Sequence, residues 1–171
     1  MNNYEELGRL VLEALVFFKK KSRSKKTHIK ITQVCGPIST GGLGSVEKNI
    51  EFFTESIQRL INAGYAVFDQ VPFEEKIWEI KERRSLAGKW FHYDHLLLEK
   101  IYKPLFESGL LDLVVFLPDY QSSVGARWEY DQALENGIQI LGFDYFDEGK
   151  DIPILKTTKP TNIKIKLLKI S

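Results

Sequence analysis

One acidic residue, Glu129, stands among small and apolar residues just after a loop of serines and glycine, in the run PDYQSSVGARWEYD at 118–131. A helix that begins near Gly125 would place Glu129 in its first turn, on a side that faces the sheet. The carboxylate would lose part of its hydration there, while the helix N-terminus would favour its charge by roughly 0.3–1 kcal/mol. Two interpretations stay open at this point. Glu129 is either a functional carboxylate beside serines that donate to a ligand, or an acid that satisfies the helix dipole with Ser122 or Ser123 as the cap.

A second glycine-rich stretch, CGPISTGGLGS at 35–45, follows a predicted strand and leads into a predicted helix. Glycines let backbone N–H groups approach an anion, and a helix N-terminus favours negative charge, so the stretch resembles a phosphate cradle. It fits neither common nucleotide fingerprint, because it has no lysine for a Walker loop and lacks the third glycine of a Rossmann loop. A flexible connection is the alternative interpretation.

Strands and helices alternate along the chain and would position both loops. Strand patterns occur at 28–35, 65–69, 110–118 and 138–143, and helical patterns at 46–64, 125–137 and much of 74–108, with breaks near 86–88 and Pro104. This alternation predicts an α/β fold with a doubly wound, mainly parallel sheet, a Rossmann-like or flavodoxin-like three-layer arrangement. Ligands bind at the carboxyl edge of such sheets, which is where both loops would lie.

The composition limits the class of protein and its partners. The chain has 171 residues and a formal net charge of +1, which disfavours a surface built for nucleic acid. Its single cysteine allows no internal disulfide and favours a cytoplasmic protein, and no apolar run reaches the roughly 20 residues of a membrane span. An amphipathic helix over 4–21 and a basic linker are expected to form an appendage, 1–27, to one domain, 28–171.

The run LPDYQSSVGARWEYDQALENGIQI resembles the signature of the nucleoside 2-deoxyribosyltransferase-like superfamily, which includes deoxyribosyltransferases and 2'-deoxynucleoside 5'-phosphate N-hydrolases. CGPISTGG stands where the N-hydrolases have a similar turn, and the resemblance covers roughly residues 29 to 143. It implies that Glu129 is a nucleophile that attacks C1' of a deoxyribosyl group and forms a covalent glycosyl-enzyme intermediate. Water then hydrolyses this intermediate, or a second base captures it. No cofactor is implied.

The resemblance also implies binding and proton-transfer roles. A serine at 123, where the transferases tend to have aspartate, favours a nucleoside 5'-monophosphate as the ligand. Gln33 stands where the family has a tyrosine that orients the nucleophile, and Asp94 in HYDHLLLEK is the expected second acid, with Glu99 in reserve. The residues expected to bind the phosphate are Ser122, Ser123, Gly125, Gly36, Ile38, Gly41 and Gly42.

Other functions and partners are also compatible with parts of this sequence. A deoxyribosyltransferase or a non-catalytic nucleotide sensor would use the same fold and loops, whereas the phosphoribohydrolases of cytokinin activation have a glycine doublet that is missing at 122–124. His92 and His95 lie one helical turn apart but lack a third ligand, so no metal is expected. Trp78 is either a core residue or a platform for a nucleobase. A homo-oligomer is expected, with the N-terminal helix and the tail NIKIKLLKI as candidate interfaces.

Overall fold

The structure, a computed structural model, describes residues 3–23, 29–87 and 94–142. The strands in these ranges are β1 (Ile31–Cys35), β2 (Ala66–Val67), β3 (Leu113–Phe116) and β4 (Gln139–Gly142). The helices are α1 (Tyr4–Arg23), α2 (Val46–Asn62), α3 (Glu74–Leu86), α4 (His95–Leu97), α5 (Lys103–Glu107) and α6 (Val124–Glu135). A π-helical turn, Leu98–Tyr102, joins α4 to α5, and 3-10 turns lie at Val71–Phe73 and Tyr120–Ser122.

The four strands form one parallel sheet in the order β2-β1-β3-β4, which confirms the predicted α/β fold. Val34 and Val115 pack with α2 on one face of the sheet, while Val114 and Phe116 pack with α5 and α6 on the other, so the fold has three layers. The chain goes outward from β1 to β2 and then crosses back to β3, so the strand order reverses between β1 and β3. The loops after these two strands lie at this reversal, which is where doubly wound folds bind ligands.

The predicted N-terminal helix α1 is confirmed, and its apolar stripe packs against the core. Gly8 lies against the π-helical turn so closely that a Cβ would be 1.9 Å from the carbonyl oxygen of Lys100. Lys19, itself buried, donates to the carbonyl of Leu110 at 2.7 Å. The apolar stripe considered for an oligomer interface is thus covered by the chain's own helices, and its buried residues are Tyr4, Leu7, Val11 and Leu15.

The predicted break near Pro104 takes the form of a change in helical geometry. Proline has no N–H to donate within a helix, and here the wider π-helical turn Leu98–Tyr102 comes directly before the first turn of α5, where Pro104 lies. Residues 95–107 therefore stay helical throughout. The other predicted break is confirmed by the end of α3 at Leu86.

Several expectations fall on residues that lie outside the described ranges, namely the tail after 160, the histidines at 28 and 92, and much of the linker before β1. In the described ranges no helix combines the length and the apolar character that crossing a bilayer requires.

Candidate functional site

A cleft lies at the carboxyl edge of the sheet, where the strand order reverses. About 550 Å³ of space, open solvent included, lies between its walls, two of which are one face of α3 and the start of α6. The segments that follow β1, β2 and β3 all contribute to its lining, which consists of Gly36, Ile38, Ser39, Gln70, Glu74, Ile77, Trp78, Lys81, Leu97, Leu98, Tyr102, Ser123, Gly125, Ala126 and Glu129.

Glu129 lies in this cleft, but one helical turn later in α6 than the sequence predicted. Ser123 caps the helix, because its hydroxyl accepts from the amide of Ala126 at 3.3 Å, and the first helical residue is therefore Val124. This position puts Glu129 in the second turn, beyond the range over which the helix dipole acts strongly. Its residue surface is only 6% exposed.

Burial decides the charge of Glu129. Burial is the largest cause of a pKa of about 8 for Glu129, while a hydrogen bond from the Cys35 thiol lowers this pKa and the neighbouring Glu74 makes a smaller contribution that raises it. The expectation that the helix N-terminus keeps this carboxyl charged is therefore wrong. In the free protein at neutral pH, Glu129 is mainly protonated.

A second acid in the cleft, Glu74, was missed by the sequence analysis. It is the first residue of α3 and is buried, and its Oε1 lies 3.3 Å from the hydroxyl of Tyr102, which donates to it. Burial raises the pKa of Glu74 to about 7, against the opposing effects of the Tyr102 hydrogen bond and of Lys81. The sequence did contain one signal for Glu74. It follows β2 in the chain, and residues that follow a strand reach the ligand edge of the sheet.

The two residues that the sequence predicts as the second acid lie outside the cleft. Asp94 is buried and forms an ion pair with Arg84, with 2.9 Å between Oδ2 and Nε. Neither Asp94 nor Glu99 lines the cleft, and Glu99 is exposed. Asp94 also helps to raise the pKa of Tyr4, after the larger effect of burial. The ion pair and its neighbours thus give Asp94 a place in the packing of α1 and α3, away from the proposed chemistry.

The two glycine-rich loops meet as predicted, but they bind each other. The amide of Gly42 donates to the Ser122 hydroxyl at 2.9 Å, and this hydroxyl donates to the carbonyl of Asp119 at 2.8 Å. The Thr40 hydroxyl lies 3.3 Å from the Ser123 hydroxyl and accepts from the amide of Val124. Several donors that were expected to bind a phosphate are therefore used to fasten one loop to the other.

Asn49, which the sequence analysis did not single out, holds the first loop in shape. Its amide nitrogen donates to the carbonyls of Ile38 and Gly41, each at 3.0 Å, and its oxygen accepts from the amide of Leu43 at 2.7 Å. Gly41 has φ of +70°, and a Cβ there would lie 2.0 Å from the Ser122 hydroxyl oxygen. Of the residues expected to bind phosphate, Gly36, Ile38, Ser123 and Gly125 line the cleft, whereas Gly41, Gly42 and Ser122 do not.

Gln33 is connected to Glu129 only through Cys35. Its side chain is fully buried in β1, its Nε2 lies 3.8 Å from the Cys35 sulfur, and its Oε1 has no hydrogen-bond partner among the described residues. Burial, and then the proximity of Glu129, raise the pKa of the Cys35 thiol, so this group stays protonated and donates. Gln33 does not line the cleft, so the direct orienting contact implied by the resemblance is replaced by a thiol.

One part of the lining suits a flat heteroaromatic group. Gln70 is 4% exposed, and its Oε1 has no hydrogen-bond partner in the described part of the chain, although it lines the cleft. Trp78 is partly exposed in the same cleft, with the Lys81 ammonium 4.6 Å from its ring centroid. A buried amide that lacks a partner is costly unless a ligand completes it. Together these residues offer stacking and a hydrogen-bond acceptor.

The cleft therefore brings together two buried carboxyls, an aromatic ring and a buried amide oxygen. Paired carboxyls with separate environments serve as nucleophile and acid in glycoside cleavage. In the three described ranges, no three His, Cys, Asp or Glu side chains come together as metal ligands. Comparison with protein-family models, with curated protein sequences and with solved structures gives no match.

Proposed function

We propose that the protein is an N-glycosidase that cleaves the base–sugar bond of a deoxynucleoside 5'-monophosphate or of the corresponding nucleoside. The observation that carries this proposal is the pair of buried carboxyls, Glu129 and Glu74, in one cleft at the reversal of the strand order. Enzymes that break glycosidic bonds usually use two carboxyl groups in one site. The motif around Glu129 supports a nucleoside as the class of substrate.

Glu129 is the nucleophile in this proposal. One of its carboxylate oxygens bonds to C1' while the C1'–N bond breaks, and the electron pair of that bond leaves with the base. Water then attacks C1' and releases Glu129. Only the ionised form can attack, and a pKa of about 8 makes ionisation at pH 7 cost on the order of 1 kcal/mol. The positive charge that develops on the sugar in an oxocarbenium-like transition state offsets this cost.

The sugar and its 5' end are expected to lie against the loop after β1 and the start of α6. Gly36, Ile38, Ser123 and Gly125 line the cleft there. The amide of Gly125 lies in the first turn of α6, where a helix N-terminus favours an anion. The Ser123 hydroxyl accepts from Ala126 and can still donate its own proton to a ligand. The base is expected beside Gln70 and Trp78.

The test is an assay of free base released from a panel of 2'-deoxynucleosides and their 5'-monophosphates, separated by chromatography. Base release is expected from at least one substrate, and Glu129→Ala is expected to lower the rate by about three orders of magnitude or more. Glu135→Gln, an exposed acid on the same helix, is the matched control. Release that survives in Glu129→Ala would refute the assignment of the nucleophile, and no release from any substrate would refute the reaction.

The same protein variants and substrates distinguish two alternative functions. A deoxyribosyltransferase would produce a new nucleoside when a second free base is added, whereas a hydrolase produces free sugar. A nucleotide-binding domain without activity is favoured by the protonated state of Glu129 and by the indirect contact to Gln33. Such a domain would bind a nucleotide in calorimetry and release no base.

The resemblance also implies a homo-oligomer, and the single buried thiol is compatible with a cytoplasmic protein. The buried stripe of α1 is not available for such an interface, but Leu10 and Phe17 on the same helix are exposed. Light scattering after size exclusion measures the mass directly, and elution as a monomer at micromolar concentration would contradict the oligomer.

A further inference from the structure

The position of Glu74 gives it a chemical task that Asp94 cannot perform. Glu74 is 8% exposed and lines the same cleft as Glu129, whereas Asp94 is outside the cleft and is bound by Arg84 at 2.9 and 3.4 Å. Both carboxylate oxygens of Asp94 are thus engaged by Arg84, away from any ligand in the cleft. Among the described residues that line the cleft, Glu74 is the carboxyl besides Glu129.

We propose that Glu74 is the catalytic residue that donates a proton to the leaving base, an inference that rests on the proposed N-glycosidase function. As the C1'–N bond breaks, the electron pair goes to the base and the Glu74 proton moves onto a ring nitrogen, so the base leaves neutral. Glu74, now a carboxylate, then takes a proton from the water molecule whose oxygen attacks C1'. The C1'–Glu129 bond breaks, and both carboxyls return to their starting state.

The surroundings of Glu74 fit a proton donor. The Tyr102 hydroxyl donates to Oε1, so Oε2 can carry the proton toward the cleft. The titratable groups that act on Glu74 are Tyr102 from the π-helical turn, Lys81 from α3 and Glu129 from α6. Glu74 lies on the same cleft-lining face of α3 as Trp78, one turn away, which is the part of the cleft where the base is expected.

A leaving-group experiment tests this role, because an N7-methylated purine leaves as a neutral base without receiving a proton. Glu74→Gln keeps the size of the side chain and its contact with Tyr102 but removes the transferable proton. We expect it to lower kcat/KM for ordinary purine deoxynucleosides and deoxynucleotides by about 10²- to 10⁴-fold. For the N7-methylated substrates the expected loss is below about tenfold. Glu75→Gln, the exposed neighbour, should change neither rate.

The outcomes separate this inference from the function on which it rests. Wild-type protein that releases no base refutes both. Wild-type release that depends on Glu129, with Glu74→Gln losing activity equally on the two kinds of leaving group or on neither, refutes the inference alone. A loss that depends on the leaving group in Asp94→Asn, and not in Glu74→Gln, would assign the donor to Asp94.

Tyr102→Phe provides a second measurement that does not require the Glu74 variant to fold. The Tyr102 hydrogen bond lowers the pKa of Glu74, so its removal raises this pKa. A larger share of Glu74 then keeps its proton above pH 7, so the ratio of the Tyr102→Phe rate to the wild-type rate is expected to rise with pH between about 6 and 9. A ratio that stays constant or falls over this range would overturn the assignment.

Discussion

The burial of Glu129 is expected to make the protein less stable as the pH rises, and Glu129→Gln should remove this effect. The folded-state pKa of about 8 exceeds the ordinary value of 4.5, so between these pH values the folded chain holds a proton that the unfolded chain has lost. Stability therefore falls as the pH rises through this window. The full effect is on the order of 5 kcal/mol above pH 8 and about 3 kcal/mol at pH 7. Glutamine has no proton to lose.

The measurement is the free energy of unfolding in urea for wild type and Glu129→Gln at a series of pH values between 4.5 and 9. The difference between them should grow by several kcal/mol in favour of the variant as the pH rises. Glu55→Gln, an exposed acid on α2, is the control that should show no such trend. A difference that stays constant across the window would mean that Glu129 titrates normally in the folded protein. The proposed burial of a protonated nucleophile would then be refuted.

Three further outcomes follow from the geometry. The kcat/KM for base release should form a bell with limbs near pH 7 and pH 8, because only the form with Glu74 protonated and Glu129 ionised is active and the two limbs belong to the pair; a rate that is flat from pH 6 to 9 would contradict this. Gly8→Ala should lower the free energy of unfolding by about 1–3 kcal/mol, despite the better helix propensity of alanine, because the Lys100 carbonyl occupies the space; an unchanged urea midpoint would contradict it. Ser123→Ala should cost about 1 kcal/mol of stability through loss of the cap, and should raise KM for the preferred substrate, whereas Ser123→Thr should restore the unfolding midpoint.

The sheet could be predicted because its signals are local. The continuous apolar run around LVVF indicates a strand that is covered on both faces, and β3 indeed lies between β1 and β4 with every residue buried. The segments that α1 packs against could not be predicted in the same way. Its apolar stripe shows that something covers one face, but which partner does so depends on packing between distant segments. The one local hint was Gly8, a small residue within that stripe where the π-helical turn comes close.

The residues of the candidate site differ in the same way, since some are marked by local motifs and others are placed by packing between distant segments. Glu129 and the two loops could be singled out from short motifs, and the structure brings all of them to one edge of the sheet. Glu74 matches no short motif, and its one signal is its place shortly after β2, from which the chain's crossover to β3 brings it into the same cleft as Glu129. The charge of Glu129 was misjudged for a physical reason: the dipole contributes at most about 1 kcal/mol. The loss of hydration on burial is larger.

The fastening of the two loops limits how this cleft can change over evolutionary time. A side chain at Gly41 would clash with the hydroxyl and the backbone of Ser122, and a change at Ser122 leaves the Gly42 amide without its acceptor. Substitutions at these positions are therefore expected to be harmful, so the loops are expected to drift slowly. The face of α3 that carries Trp78 and Lys81 has no such constraint. New substrate preferences would arise there first, as the nucleophile and its loops stay fixed.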